Sequence, residues 1–253
     1  MGNGLSHRWI GHAQRDDGGS GDSPPGLFAG AGLLGLSGAS RAGDGDEDEP
    51  QAAGSLCRAL LAGLLEPLYA DRAPGLAGRL IGQFGSLPLL LAASPDALRA
   101  RIPETPIVDY LMLVRATQLH ALRTEMLSGP IVSTSKALID YLHGSMAHAS
   151  AEQLRVLYLN SHNRLLRDEV MGHGTVGQAP IYPREIIKRS LELGATALIL
   201  VHNHPSGDPQ PSKDDIQATA RVAAVAKALD IVIHDHLIIA RSGHASFRAL
   251  GLL

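Results

Sequence analysis

The residues of this chain best suited to chemistry fall in one stretch, His202-Asn203-His204-Pro205 through Ser212 and Asp215. Two histidines separated by one residue on an extended chain point to the same side, because strand side chains alternate with period two. Neutral imidazoles on one side, at the mouth of a strand, can hold a divalent metal. Pro205, Gly207, Pro209 and Pro211 force an irregular loop after them. The loop returns to Ser212, which opens a helix, and Asp215 falls on the first turn of that helix. A His, His, Asp set with an open fourth position has the composition of a catalytic rather than a closed structural zinc site. One zinc ion held there would bring the pKa of a bound water to about 7, making hydroxide available at neutral pH.

Parts of this stretch also have purely structural readings. Ser212-Lys213-Asp214-Asp215 fits the capping-box pattern ahead of an apolar helix. The two readings are compatible, since one residue can both cap and coordinate. A second His-x-His, His234-Asp235-His236, reads as structural. Hydrolysis further needs a carboxylate that serves as acid and base in turn. Three are candidates: Glu152 at the start of the first strand of the domain, Glu169 near the end of the return strand before the glycine-rich stretch 172–177, and Glu185. Glu185 stands in a helix's first turn, where the helix dipole already accounts for it.

The elements that must position these residues are legible in the pattern. Ala197 to Val201 is a continuous apolar run, as in a strand buried on both faces. Residues 213–229 form a helix with Ile216, Ala220, Ala223 and Ala226 on one side. Leu154 to Leu159 and Arg164 to Glu169 are strands joined by the turn 160–163. A helix runs from Pro183 to Leu193 and stops at Gly194, a short helix covers Ser135 to Leu142, and Ile231 to Ala240 is strand-like. Strands and helices alternate from 150 onward, so the fold class is α/β or α+β. Upstream, Leu56, Leu60, Leu61, Leu64, Leu65 and Leu68 recur at helical spacing, and Leu76 to Phe84 continue it up to Gly85. Ser94-Pro95-Asp96 reads as a helix N-cap, and Val108 to Met126 as a long helix, so 51–130 is a small all-helical segment. Residues 1–50, with Gly- and Pro-rich 18–25 and the acidic run 43–50, read as a disordered tail.

Bulk composition narrows the function. A formal net charge of −3 gives no electrostatic footprint for a phosphate backbone. Cys57 is the single cysteine, so no internal disulfide can form, and it reads as a small buried hydrophobe in a helix. The apolar run Leu27–Leu36 is shorter than the roughly 20 residues a spanning helix needs. Asp16, Asp17 and Asp22 precede it where a secretory signal would be basic. The expectation is a cytoplasmic protein with no membrane association.

The stretch 202–215 resembles the signature of the RadC family, part of the JAB/MPN superfamily. Its JAMM motif is a glutamate, then H-x-H-P, seven residues in all after the second histidine, then S-x-x-D. Seven residues separate His204 from Ser212 here. Leu159-Asn160, Tyr182-Pro183-Arg184-Glu185-Ile186 and Asp235-His236 are supporting matches, and the resemblance covers roughly 131–253. It implies an MPN/JAB-type mixed sheet with flanking helices, a zinc domain over 131–253, and metal-dependent hydrolysis of a peptide or isopeptide bond in a protein or peptide substrate. By the same resemblance His202, His204 and Asp215 are the zinc ligands, Ser212 stabilises the developing oxyanion, and the upstream glutamate falls on Glu152. Two alternative readings of this chain stand beside it: a DNA repair-associated accessory protein, which rests on the naming of the family and the helical N-terminal segment, and a catalytically silent MPN scaffold, since the superfamily also contains members without metal. Members with the former name often carry a helix-hairpin-helix-like piece around Gly-Ile-Gly. The comparable Ile102-Pro103-Glu104-Thr105-Pro106 lacks the glycines that let backbone amides approach a phosphate.

Overall fold

A computed structural model of the chain describes residues 49–173 and 181–253. The stretches 18–25 and 27–36, the acidic run as far as Asp48 and the loop residues 174–177 lie outside the described residues. So does the rest of the tail reading, except that Glu49 and Pro50 already belong to the first helix.

Five helices come first: α1 (Glu49–Tyr69), α2 (Ala73–Phe84), α3 (Leu87–Ala92), α4 (Pro95–Arg101) and α5 (Thr105–Met126). Leu61 and Leu65 of α1, Leu80 of α2, Leu90 of α3, Leu98 of α4 and Leu111 of α5 share one core. Leu56, Leu60 and Leu68 have the right helical spacing but face outward, and Cys57 is only half-buried against this core. Helix α3 has no counterpart in the sequence reading. Its run of leucines carries no polar residue to mark a face, so periodicity gives no signal there. Its N-cap is local: the Ser86 Oγ accepts from the Leu89 N–H at 3.3 Å. The Ser94 Oγ does the same for α4 at 3.2 Å.

From residue 136 the texture changes to α6 (Lys136–Met146), β1 (Gln153–Leu159), β2 (Leu165–His173), α7 (Pro183–Leu193), β3 (Ala197–Asn203), α8 (Lys213–Lys227), β4 (Val232–Ala240) and β5 (Gly243–Ser246). The sheet is mixed, in the order β2-β1-β3-β4-β5, with only β3 and β4 parallel. That parallel pair needs a crossover, and α8 supplies it. Every residue of β3 is buried, as an apolar run at a sheet centre requires. Ile199 and Val201 pack with Leu138 and Leu142 of α6 on one face. Leu198 and Leu200 pack with Ile186 of α7 and Val222 of α8 on the other. The chain is therefore a three-layer α/β/α arrangement with a helical segment ahead of it.

Helix α8 corrects one expectation. Its buried stripe is Ala218, Thr219, Val222 and Ala226, whereas Ile216 and Ala220 are exposed. In an alanine-rich helix neighbouring faces differ little in hydropathy, so the pattern does not select the phase. Val222 and the polar Thr219 do. Asp215 precedes Thr219 by four residues and therefore lies on the docked face.

Candidate metal centre

The pleat of β3 decides where its histidines point. Leu198, Leu200 and His202 alternate onto the α8 face. The backbone keeps its register one residue past the strand, with the His204 N–H donating to the Ile239 carbonyl at 2.9 Å. His204 thus joins His202 on that face. Their Nε2 atoms stand 2.9 Å apart and the ring centroids 4.8 Å apart. Asp215 arrives from the first turn of α8, with Oδ1 3.3 Å from the His202 Nε2 and Oδ2 3.5 Å from the His204 Nε2. One ligand atom from each of the three residues lies within 4.8 Å of the others.

The capping box is real and orients the carboxylate. The Ser212 N–H donates to Asp215 Oδ2 at 2.8 Å, and the Asp215 N–H donates to Ser212 Oγ at 3.2 Å. Oδ2 is thereby fixed to the backbone while Oδ1 is turned to His202. The Ser212 Oγ accepts in this box with a lone pair, which leaves the hydroxyl hydrogen out of that bond.

The donor set fits a metal. The His204 Nδ1 lies 2.8 Å from the Asp208 carbonyl oxygen. A carbonyl only accepts, so Nδ1 carries the hydrogen and Nε2 presents a lone pair. That lone pair faces a second imidazole nitrogen and a carboxylate, an arrangement that calls for a cation. Electrostatics agree. Hydrogen bonding to Asp215 raises the His204 pKa against the opposing effect of burial. At Asp215 burial pushes the carboxyl up, but the neighbouring His202 and His204 outweigh it and hold it far below the usual carboxylate range.

The loop 205–211 owes its shape to contacts that the sequence did not announce. Gly207 adopts φ 95°, a region open to glycine. The Arg241 Nη2 donates to the Pro205 and Ser206 carbonyls at 3.2 Å, and the Ser242 hydroxyl donates to the Gly207 carbonyl at 2.6 Å. These bonds from the β4–β5 turn set the carbonyl that meets His204.

Asn203 settles the neighbourhood of Glu152. Buried between the two histidines of the motif, its Oδ1 accepts from the Gln153 N–H at 2.9 Å. Its Nδ2 donates to the Ala151 carbonyl at 3.1 Å. One carboxamide therefore clamps the chain on both flanks of Glu152, and the Leu154–His202 pairing fixes the register beside it. The Glu152 charge contributes to the raised pKa of His204. Glu169 and Glu185 are engaged along α7. Arg189 grips Glu169 through two bonds, at 2.6 and 2.8 Å, and Arg184 pairs with Glu185 at 3.0 Å.

The second His-x-His divides. The His234 Nε2 bonds the Asn163 Oδ1 at 2.7 Å. Asp235 accepts from the Ser246 hydroxyl and from the backbone of His236 and Arg248. Those two are structural, as read. His236 is different: fully buried, its Nε2 lies 2.8 Å from the His202 Nδ1. Burial above all pushes its pKa well below the imidazole range. Its role is set by the parallel pairing of β3 with β4, which aligned Leu200 with His236 across 36 residues of sequence.

With this geometry in place, comparison with known proteins is informative. Residues 132–252 match the family described as RadC-like JAB domain. A UPF0758 protein of Rhodobacter capsulatus is 48% identical over 183 residues, which are 70% of this chain and 84% of the relative.

Proposed function

This chain belongs to the RadC-like JAB domain family, and on that premise we propose that it is a zinc-dependent, metallopeptidase-like hydrolase of peptide or isopeptide bonds. The observation that carries the reading is the convergence of His202, His204 and Asp215, with the His204 Nε2 turned toward the other two.

His202, His204 and Asp215 would hold one zinc ion, with no fourth protein ligand among the described residues. When bound, zinc supplies Lewis acidity and lowers the pKa of water toward 7. Glu152 takes a proton from the attacking water and delivers it to the departing amine, a single carboxylate serving as base and then acid. Ser212 donates its free hydroxyl hydrogen to the developing oxyanion, a role matched to its position beside Asp215. A silent scaffold has no use for a complete ligand set, and the net charge of −3 offers nothing to a nucleic-acid partner. We place the reaction in the cytoplasm; no helix among the described residues is long and apolar enough to cross a membrane.

The test is elemental analysis of protein purified without chelator. About one zinc per wild-type chain is expected and near none in His204→Ala, with chelator-stripped wild type regaining hydrolysis of lysine-linked isopeptide substrates on zinc addition. A metal-free wild type that does not take up zinc ends the reading.

A further inference from the structure

Beyond the three ligands, a chain of buried polar atoms runs from the back of His202 into α8. The His202 Nδ1 lies 2.8 Å from the His236 Nε2. The His236 Nδ1 lies 2.6 Å from the Thr219 Oγ1. The Thr219 Oγ1 in turn lies 2.6 Å from the Asp215 backbone carbonyl. His202, His236 and Thr219 are all buried, so water has little part in satisfying them.

The hydrogens along this chain are determined from its far end. The Asp215 carbonyl can only accept, so the single Thr219 hydroxyl hydrogen goes to it. The Thr219 oxygen must then accept from His236, which places the His236 hydrogen on Nδ1. A neutral His236 with Nδ1–H has a lone pair on Nε2, and that lone pair must accept from the His202 Nδ1–H. At a pH where His202 carries a single hydrogen, that hydrogen is used there, and its Nε2 is a lone pair turned toward His204 and Asp215. Reversing the links would leave the Thr219 oxygen and the Asp215 carbonyl, two acceptors, 2.6 Å apart in the core, whereas the lone pairs left open in this arrangement gather where a cation would sit.

We infer that His236 and Thr219 are positioning residues, which fix His202 in its Nδ1–H tautomer so that Nε2 is held ready for a metal ion. The role rests on the metal-site reading for its purpose; the hydrogen bonds that select the tautomer are made within the chain itself. The wire ends on the backbone of Asp215, itself in the ligand set, so one helix turn supplies a ligand and orders another through the core. Partners behind a metal-binding histidine typically govern metal affinity by about 10–100-fold.

Thr219→Val removes the hydroxyl at nearly constant volume, and Thr219→Ser restores it. Side-chain 15N shifts of His202 and His236 in the metal-free protein, recorded above the imidazole titration range, report the tautomers directly. We expect Nδ1–H at both rings in wild type and Thr219→Ser, and a mixed population at His202 in Thr219→Val. Zinc affinity, measured by competition with a chromophoric chelator, should fall about tenfold or more in Thr219→Val and recover in Thr219→Ser. An Nε2–H tautomer at His202 in wild type, or tautomers and affinity unmoved by Thr219→Val in a folded protein, overturns the inference. Wild type with the assigned tautomers but no zinc uptake supports the wire while removing the hydrolase reading, so the two fail separately.

Discussion

The most informative residue outside the His202, His204 and Asp215 cluster is Asn203, because it ties the acid–base candidate to the histidines. Glu152→Gln keeps shape and removes the proton-transfer group, so it should lower turnover about 10²–10⁴-fold while zinc content stays near wild type. Asn203→Ala removes both bonds that flank Glu152, leaving the half-buried Gln153 amide and Ala151 carbonyl poorly paired. It should lower turnover in the same assay with little change in zinc content. Loss of zinc in Glu152→Gln would make that residue a ligand instead, and unchanged turnover would return the base assignment to other carboxylates. His204 is oriented by its surroundings: its tautomer is set by the Asp208 carbonyl, and that carbonyl is set by the Arg241 and Ser242 bonds to the loop.

At the scale of elements, two helices meet the α8-side face of the sheet with different partners. Helix α8 docks through Thr219, Val222 and Ala226, and the phase that buries them carries Asp215 to the histidines. Helix α7 is anchored to β2 by the Arg189–Glu169 pair. That hydrogen bonding holds the Glu169 carboxyl below its ordinary value. A depressed folded-state pKa means the stabilisation is full above the unfolded glutamate value, about 4.3, and disappears as pH falls through the lower folded value. Wild type should therefore unfold at a higher temperature than Glu169→Gln at neutral pH, and the gap should close on acidification below about pH 4. Isopeptide hydrolysis should survive Glu169→Gln. A gap independent of pH would assign the difference to packing of α7 instead.

Over the whole molecule, α5 joins the helical segment to the sheet. Ile107, Val108 and Leu111 at its start belong to the helical core, while Leu122 and Met126 at its end pack with α6 and the sheet. A 22-residue helix spans roughly 33 Å, enough to belong to two cores. The described residues 49–173 and 181–253 accordingly fall in one unit. Beneath α6 sits a largely buried ion pair, Arg155 with Asp168 at 3.2 Å, and the Tyr141 hydroxyl donates to the same carboxylate at 2.7 Å. Asp168→Ala would leave the Arg155 charge without its counter-ion and should cost about 3–5 kcal/mol in denaturant unfolding. Replacing both partners by apolar residues, Arg155→Met with Asp168→Leu, should recover part of that loss. Binding stabilises whatever it favours, so zinc should raise the unfolding temperature of wild type and leave His204→Ala unmoved.

The cluster of His202, His204 and Asp215, the strand that carries the first of them and the mixed α/β class were legible in the sequence. Each depends on local information: period-two alternation places His202 and His204 together, a proline-rich loop fixes the distance to Ser212, and a capping box marks the helix on which Asp215 sits. Helix α3 and the phase of α8 were not legible, because runs of leucine or alanine present no contrast between faces. Nor was the proton arrangement around the site. His236 read as structural because nothing in His234-Asp235-His236 distinguishes its two histidines. Only the parallel pairing of β3 with β4 brings His236 behind His202, and only the docked phase of α8 brings Thr219 behind His236. Asn203 likewise gains its meaning from the Gln153 and Ala151 backbone fifty residues away. Spacing along the chain determined which residues could hold a metal; contacts between distant strands and helices decided how those residues are oriented, protonated and joined to a carboxylate, because hydrogen bonds act through space and not along sequence.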